Sequence, residues 1–463
     1  MINEKVLEQL RKKVTGQILS PKDTGYEEAR KVWNGIIDKH PSVIARCANE
    51  DDVANSLEFA RANNLEIAVR GGGHNVAGFS TCDEGIVIDL SPMKKIEIDK
   101  NAGTARAQAG LSWTEFDKAT QEAGLATTGG LISTTGIAGF TLGGGFGWLV
   151  RKYGMTIDNL LSVDMILADG KRVSASPSEN QDLFWGVRGG GGNFGIVTSF
   201  NYKLHPVGPN VYGGVLFYPV SKAKELLKFY NSWVQSVPDE LSTTAAIITA
   251  PPEPFVPKEL VGTQMAIVAA CYVGAKEEGE KVLKPLRDFT PAAIDVVGPI
   301  PYVALQAMLD SSAPRGIHSY WRTQYLNELT DEAIDTLVEH ASNLKNLSPF
   351  SALHIHHWEG AINRVKPEET AFSQRNARFV INIVGLWAAG DDADKHINWV
   401  KNFSDNVKQF STGNLYVNFL ADTGEDKVLA AYGKEKYTKL VQLKNKYDPE
   451  NLFHLNQNIK PSV

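Results

Sequence analysis

No stretch of this 463-residue sequence holds enough consecutive apolar residues to cross a bilayer, so no membrane association is expected. The opening residues, MINEKVLEQLRKKVTGQ, lack an apolar core of signal-peptide length, which predicts a cytoplasmic chain without a leader. Cysteine is scarce. Cys47, Cys82 and Cys271 are odd in number and far apart, which excludes a disulfide framework and fits a reduced compartment. Basic residues are outnumbered, 47 Lys and Arg against 53 Asp and Glu, and no basic patch is interleaved with aromatics. A net charge of −6 therefore argues against nucleic acid as a partner. Internal repeats and low-complexity segments are absent too. What is left, 43% hydrophobic and 22% charged residues, is ordinary for a globular chain long enough to form two domains.

Glycine is plentiful but unevenly spread, concentrated in three loops of the N-terminal half. The first is VRGGGHNVAG, residues 69–78, where the apolar run Leu65 to Val69 ends at Arg70 and Gly71, Gly72 and Gly73 lead into His74 and Asn75. Glycines there allow positive φ and close approach to the backbone, as phosphate loops require. It is not a P-loop, because Phe79 and Ser80 follow Gly78 where Lys and Ser or Thr are needed. Nor is it a dinucleotide fingerprint, whose third glycine is replaced by Val76. The second loop is TTGGLISTTGIAGFTLGGGFG, residues 127–147, and the third RGGGGNFGIVT, residues 188–198. Gly190, Gly192 and Gly195 match the dinucleotide spacing literally, but IVTSFNYKL after them alternates like a strand and opens no helix.

Around these loops the pattern alternates between helix and strand. DDVANSLEFARANN predicts a helix, GIVIDL a strand, and KIEID with TARAQ a hairpin. Ser112 with Glu115 forms a capping box for a helix that Gly124 stops. LSVDMILADGKRVSAS predicts a hairpin turned at Asp169-Gly170. Beyond about residue 207 glycine thins out. Long strands, TQMAIVAACYVG and RFVINIVGLWA, then alternate with longer helices, DEAIDTLVEHASNL and DDADKHINWVKNFSDNVKQF.

RGGGHNVAG, TTGIAGFTLGGGFGWLVRKYGMTIDNLLSVDMILADG, DLFWGVRGGGGNFGIVTSF and, near the end, YVNF with YTKLVQLKNKYDPENLFHLNQNI occur in order. Together they resemble the FAD-linked oxidases of the berberine-bridge-enzyme type, from about residue 36 onward, and most of all the bacterial branch that includes hydroxynicotine oxidases. The resemblance implies an α+β fold: a PCMH-type FAD-binding domain of two α/β subdomains, and a substrate domain with an antiparallel sheet flanked by helices. The expected boundaries are 1–206 for the FAD domain, 207–413 for the substrate domain and 414–463 for a C-terminal return to the FAD domain.

In the family the histidine after the glycines is bonded to the flavin 8-methyl carbon, which makes His74 the expected single 8α-histidyl link to FAD. An attached imidazole raises the flavin potential and fixes the ring. Many relatives add a cysteine link in a stretch like GGLISTTGIAG. Ile132 stands at that position and no cysteine is close in sequence, so one link is expected, with Cys82 the weaker alternative for a second. This departure counts against an oligosaccharide oxidase. The resemblance further implies flavin contacts from Arg70 to Gly73, Asn75, Thr134, Thr135, Gly136, Gly139, Gly143, Gly144, Tyr153, Asn159, Gly195, Val197 and Asn456.

Oxidation of an alcohol or amine needs a base for its proton as hydride leaves. The resemblance places Tyr416 of the Y-x-N strand there, with Asn418 on the same strand face. A phenol of pKa ~10 needs a neighbour to activate it. Relatives use an Asp, Glu or Gln from an adjoining strand; here SALHIHHWEGAINRV offers His354 and His356 on one face, His357 on the other and Glu359 at its end. A metal held by this histidine pair is an alternative without a clear third ligand, and no metal is expected. The function expected is an oxidase moving hydride from a C–OH or C–N centre to FAD, with a small organic substrate and O2 as partners, acting as monomer or homodimer. Alternatives are a dehydrogenase of the same fold, a natural-product oxidative cyclase and a flavin-binding protein without turnover. The acidic balance and aromatics such as Trp321, Trp358 and Trp387 suit a neutral or cationic ligand.

Overall fold

Short β-branched runs separated by helix and hairpin signals assemble, in a computed structural model describing residues 2–421 and 424–462, around three main sheets. The first runs in the order Gln17–Leu19, Val43–Arg46, Ile86–Asp89, Ile67–Arg70, and its last three strands are parallel. Parallel strands must be covered on both faces, and Val43, Ile86 and Ile88 on one face and Ile44 and Val87 on the other are fully buried accordingly. The expected helix spans Glu50–Ala62, with the Asn49 side chain accepting from the Asp52 N–H at its start. Ile67–Arg70 is an edge strand, and the chain passes from Arg70 straight into Gly71–Gly73.

The second sheet is antiparallel, in the order Ile96–Asp99, Thr104–Gln108, Ile196–Lys203, Leu160–Ile166, Arg172–Ala175. It contains both expected hairpins, and Gly170 takes φ +85° at the second turn. The helix Trp113–Gln121 carries the expected capping box from Ser112 and Glu115, and Gly124 follows it at φ +71°.

The third and largest sheet is antiparallel along the order Ile294–Asp295, Asn210–Pro219, Gln264–Tyr272, Leu241–Thr249, Ala352–His357, Phe379–Trp387, His318–Leu326. Alternation splits its side chains between two faces. Ala245, Ile247, Leu353, Ile355, Ile381 and Ile383 pack against residues of helices Ala223–Trp233, Asp331–Ala341 and Ala393–Val407. The other face, carrying Ala246, His354, His356 and Asn382, turns toward the glycine loops.

The last fifty residues return to the first two sheets. Val428 of helix Glu425–Tyr432, Leu440 and Leu443 of helix Lys434–Tyr447, and Phe453 join the same apolar cluster as Val43 and Phe200. The buried Lys444 ammonium donates to the Asn193 and Phe453 carbonyls at 2.9 and 2.8 Å and to Asp448 at 2.6 Å, which pins this segment to the third glycine loop. One expectation fails here. Tyr416 and Asn418 are not on a strand, because the chain coils into a 3₁₀ turn at Val417–Phe419 and period-two alternation no longer holds. The turn lets Asn418 Nδ2 reach back to the Phe140 carbonyl at 3.0 Å.

Candidate active site

Between the glycine loops and the open face of the large sheet lies a cavity of about 750 Å³, within the size range of cofactor and substrate sites. Its two long walls differ in kind: one is mostly backbone, the other mostly side chains.

The backbone wall is built from all three glycine loops, including Gly71, Gly72, Gly73 and Asn75 from the first and Gly136, Gly139 and Gly143 from the second. Gly195 and Val197 contribute from the third, and Asn456 from the C-terminal segment. Two reasons for glycine separate here. A Cβ on Gly72 would fall 2.3 Å from the Gly136 nitrogen, so the protein's own backbone demands glycine there. A Cβ on Gly139 or Gly192 would meet nothing within 4 Å; those two face the cavity and leave its wall open for a ligand. Asn456 adds a buried Oδ1 without a protein partner. An open, glycine-lined trough that also holds an unpaired polar atom fits an elongated cofactor such as FAD.

His74 sits at the junction of the two walls. Its ring stacks on Trp33, with centroids 5.4 Å apart, and Thr134 Oγ1 and Thr135 Oγ1 lie 3.5 and 3.4 Å from its two nitrogens. Burial, with a smaller contribution from Arg315, lowers its pKa to about 4, so the imidazole is neutral. Ile132 also faces the cavity, packed against Trp33 and Trp321. Cys82 does not reach it: the thiol is fully buried elsewhere, pushed up to about 12 by burial.

The side-chain wall centres on Thr244, His354, His356 and Asn382. His356 Nδ1 pairs with Thr244 Oγ1 at 3.0 Å across neighbouring strands, and its ring packs edge-on against Phe146. His354 lies one pleat along, 5.8 Å from His356 between ring centroids, and its nitrogens have no partner among the described residues. Burial lowers His354 to about 4 and holds His356 well below the ordinary imidazole value, so both rings are neutral. His357 points to the opposite face, as alternation predicts, where it meets Arg151 at 3.1 Å and Glu359 at 2.8 Å. The three histidines therefore do not converge, and no group of three His, Cys, Asp or Glu among the described residues is arranged to hold a metal ion.

Several expected contacts lie off the cavity wall. Arg70 is buried and donates to Asp89 at 2.7 Å and to the Ala29 carbonyl at 2.6 Å, holding the first loop from behind. Gly144, at φ +122°, faces Met155 and Phe372. Tyr153 stacks on His205, and Asn159 Nδ2 donates to the Tyr153 and Met155 carbonyls, so that motif shapes its own turn. Tyr416 is the larger displacement. It is 1% exposed, one layer behind Phe146 and Asn418, and its oxygen accepts from the Gly145 N–H and Asn418 Nδ2, each at 3.0 Å. Burial raises its pKa above the usual phenol value, against smaller opposing effects of those two donors. Trp358 and Trp387 are buried away from the cavity, which Trp321 lines. Sequence reasoning missed Trp33, Phe146, Thr244 and Asn382. Of these, Asn382 carries a signal, as the one polar side chain in the otherwise apolar strand Phe379–Trp387.

Residues 41–176 match the family described as FAD binding domain, and residues 415–460 the family described as berberine and berberine like. The chain is 31% identical over 439 residues to an FAD-linked oxidoreductase of Dictyostelium discoideum, covering 94% of this chain and 92% of that one. It is 30% identical over 459 residues to (R)-6-hydroxynicotine oxidase of Paenarthrobacter nicotinovorans, covering 97% of each. Among solved structures, 6-hydroxy-D-nicotine oxidase from Arthrobacter nicotinovorans has a TM-score of 0.87 at 26% identity, covering 97% of this chain and 98% of that one. BBE-like 1 of Physcomitrella patens has a TM-score of 0.88 at 25% identity, covering 99% of each.

Proposed function

The chain belongs to the berberine-type FAD-linked oxidoreductases, and from that premise we propose an oxidase that takes hydride from a C–OH or C–N centre of a small organic molecule. FAD, when bound, supplies the acceptor for the hydride and passes the electron pair to O2 to give H2O2. The observation that carries this reading is the pairing of a glycine trough containing His74 with two neutral imidazoles, His354 and His356, across one cavity.

In this reading His74 is the single attachment point for FAD. Its neutral ring leaves a nitrogen lone pair free for the bond, and Trp33, Thr134 and Thr135 fix the ring's plane. Ile132 occupies the place of a second link. His354 takes the substrate proton, since its nitrogens open on the cavity without protein partners. His356, held by Thr244, lines the cavity beside it. Tyr416, the base that the sequence resemblance implies, is in this reading a positioning residue that orients Asn418. The division into 1–206, 207–413 and 414–463 belongs to the same proposal, and the return of the C-terminal helices to the N-terminal apolar cluster supports it.

Acid precipitation and oxygen consumption test it together. The pellet should stay yellow, with flavin on a peptide containing His74 and no cysteine, and turnover of an oxidisable substrate should yield one H2O2 per O2 consumed. A colourless pellet under a yellow supernatant contradicts the attachment, and substrate-driven flavin reduction without peroxide contradicts the oxidase assignment.

A further inference from the structure

We propose that the substrate is an uncharged alcohol carried on an apolar, ring-sized body, its hydroxyl held between His354 and Asn382; this rests on the oxidase reading and narrows it. His354 and Asn382 stand directly opposite each other on adjacent antiparallel strands, so their side chains are near neighbours on the cavity face. Neither side chain makes a hydrogen bond within the described residues, although His354 is only partly exposed and Asn382 is 3% exposed, with its Oδ1 buried and unpaired. Buried polar groups are nearly always paired, so the unpaired amide of Asn382 beside the half-buried, unpartnered imidazole of His354 marks the place of a polar ligand atom. A neutral imidazole can accept one hydrogen bond and the amide can donate one. A hydroxyl oxygen needs that combination: it accepts from Asn382 and donates to His354.

The surroundings decide what carries the hydroxyl. On the same sheet face, Ala246, Ile248, Ala269, Ala352, Val384 and Leu386 line the cavity. Glu253 is the single Asp, Glu, Lys or Arg among the described residues of the lining, and its carboxylate accepts from Ser311 at 2.7 Å. Glu253 belongs to an outer loop with exposed apolar side chains at Phe255 and Val261. A protonated amine would enter this chamber without a counter-charge, at heavy desolvation cost. A carboxylate would find no cation. An oligosaccharide would bury many hydroxyls against aliphatic side chains, since Thr244 is already engaged with His356. The redox step balances simply. The carbinol C–H and O–H bonds break and the C=O bond forms; the hydride reduces the flavin as the alcohol is oxidised, and the proton goes to His354.

The test uses the holoenzyme at pH 7 with 1-phenylethanol, its product acetophenone, 1-phenylethylamine and cellobiose. Acetophenone, which cannot be oxidised, should perturb the flavin absorbance at concentrations at least about 10-fold below those needed by the amine or the sugar, the equivalent of one hydrogen-bond-sized difference. Asn382→Asp should reverse the ketone-to-amine preference by about 10-fold or more. If that variant does not fold, Asn382→Leu should weaken acetophenone by about 10-fold and leave toluene unchanged. Amine or cellobiose binding as tightly as acetophenone, no perturbation by any compound, or an unchanged preference in the Asn382 variants overturns the inference. Peroxide-forming turnover of the amine in preference to the alcohol leaves the oxidase reading standing and removes the inference alone. Tight acetophenone binding with no flavin reduction by 1-phenylethanol removes the oxidase reading, and with it the alcohol as substrate, leaving only the preference of the His354–Asn382 pair for a neutral ligand.

Discussion

The two walls of the cavity solve different problems. The glycine wall works by leaving side chains out: Gly139 and Gly192 expose backbone to the cavity, and Gly72 and Gly136 touch so closely that no other residue fits. The sheet wall works by placing side chains, and its polar atoms, His354, His356 and Asn382, are set in a field of aliphatic neighbours. A wall of backbone suits a ligand that is always the same. A wall of side chains can change with the substrate while the strands beneath it stay as they are. That division teaches where cofactor and substrate specificity reside.

The sharpest way to break this comparison is to remove the one chemically active side chain at the edge of the glycine wall. His74→Ala should abolish flavin retention through acid precipitation and leave at most a reversible complex, checked by absorbance of pellet and supernatant. Colour persisting in the pellet would place the bond elsewhere.

Next come the glycines themselves. Gly139→Leu should leave the thermal transition of the flavin-free protein nearly unchanged while filling the trough and cutting FAD occupancy several-fold. Gly72→Ala should do the opposite: its Cβ would sit 2.3 Å from the Gly136 nitrogen, so unfolding should shift down by several degrees even without FAD. Equal effects of both substitutions in calorimetry would erase the distinction between ligand-facing and self-facing glycine.

A smaller effect concerns how the walls are joined. Asp117, on the helix Trp113–Gln121, accepts from Gln306 Nε2 of helix Tyr302–Gln306 at 2.8 Å, and burial pushes its carboxyl up to about 7. In the unfolded chain this group ionises near ~4. Between about pH 4 and 7 the unfolded state therefore loses the proton first, and the fold loses stability across that window, with the full loss above it. Asp117→Asn should remove that dependence, stabilising the protein by ~2–4 kcal/mol at pH 8 and hardly at all below pH 4. Urea unfolding at the two pH values checks it.

The glycine wall was legible in the sequence because close backbone approach leaves a visible mark: three clusters no ordinary turn requires. His354 and His356 were legible as a pair because strand alternation put them on one face, and the structure has them there. Tyr416 shows where such reasoning stops. Its side-chain direction was inferred from a strand that is not formed, because the chain must coil at Val417–Phe419 for Asn418 to reach the Phe140 carbonyl. The partners of Tyr153 and Asn159 were likewise invisible, since His205 lies far along the chain. Contacts set by tertiary approach leave little local signal.

His354, as the group that takes the substrate proton, holds the central role at this site. Anaerobic mixing of substrate with His354→Ala and with Tyr416→Phe, each with flavin still bound, compares the cavity-facing imidazole with the phenol behind it. Flavin reduction should slow by ~10²–10⁴ in His354→Ala, the usual cost of losing a general base, and stay within a few-fold of wild type in Tyr416→Phe. Reoxidation by O2 should be nearly unchanged in both. The reverse ranking, a large loss in Tyr416→Phe and little in His354→Ala, would contradict the assignment and return the proton to the phenol.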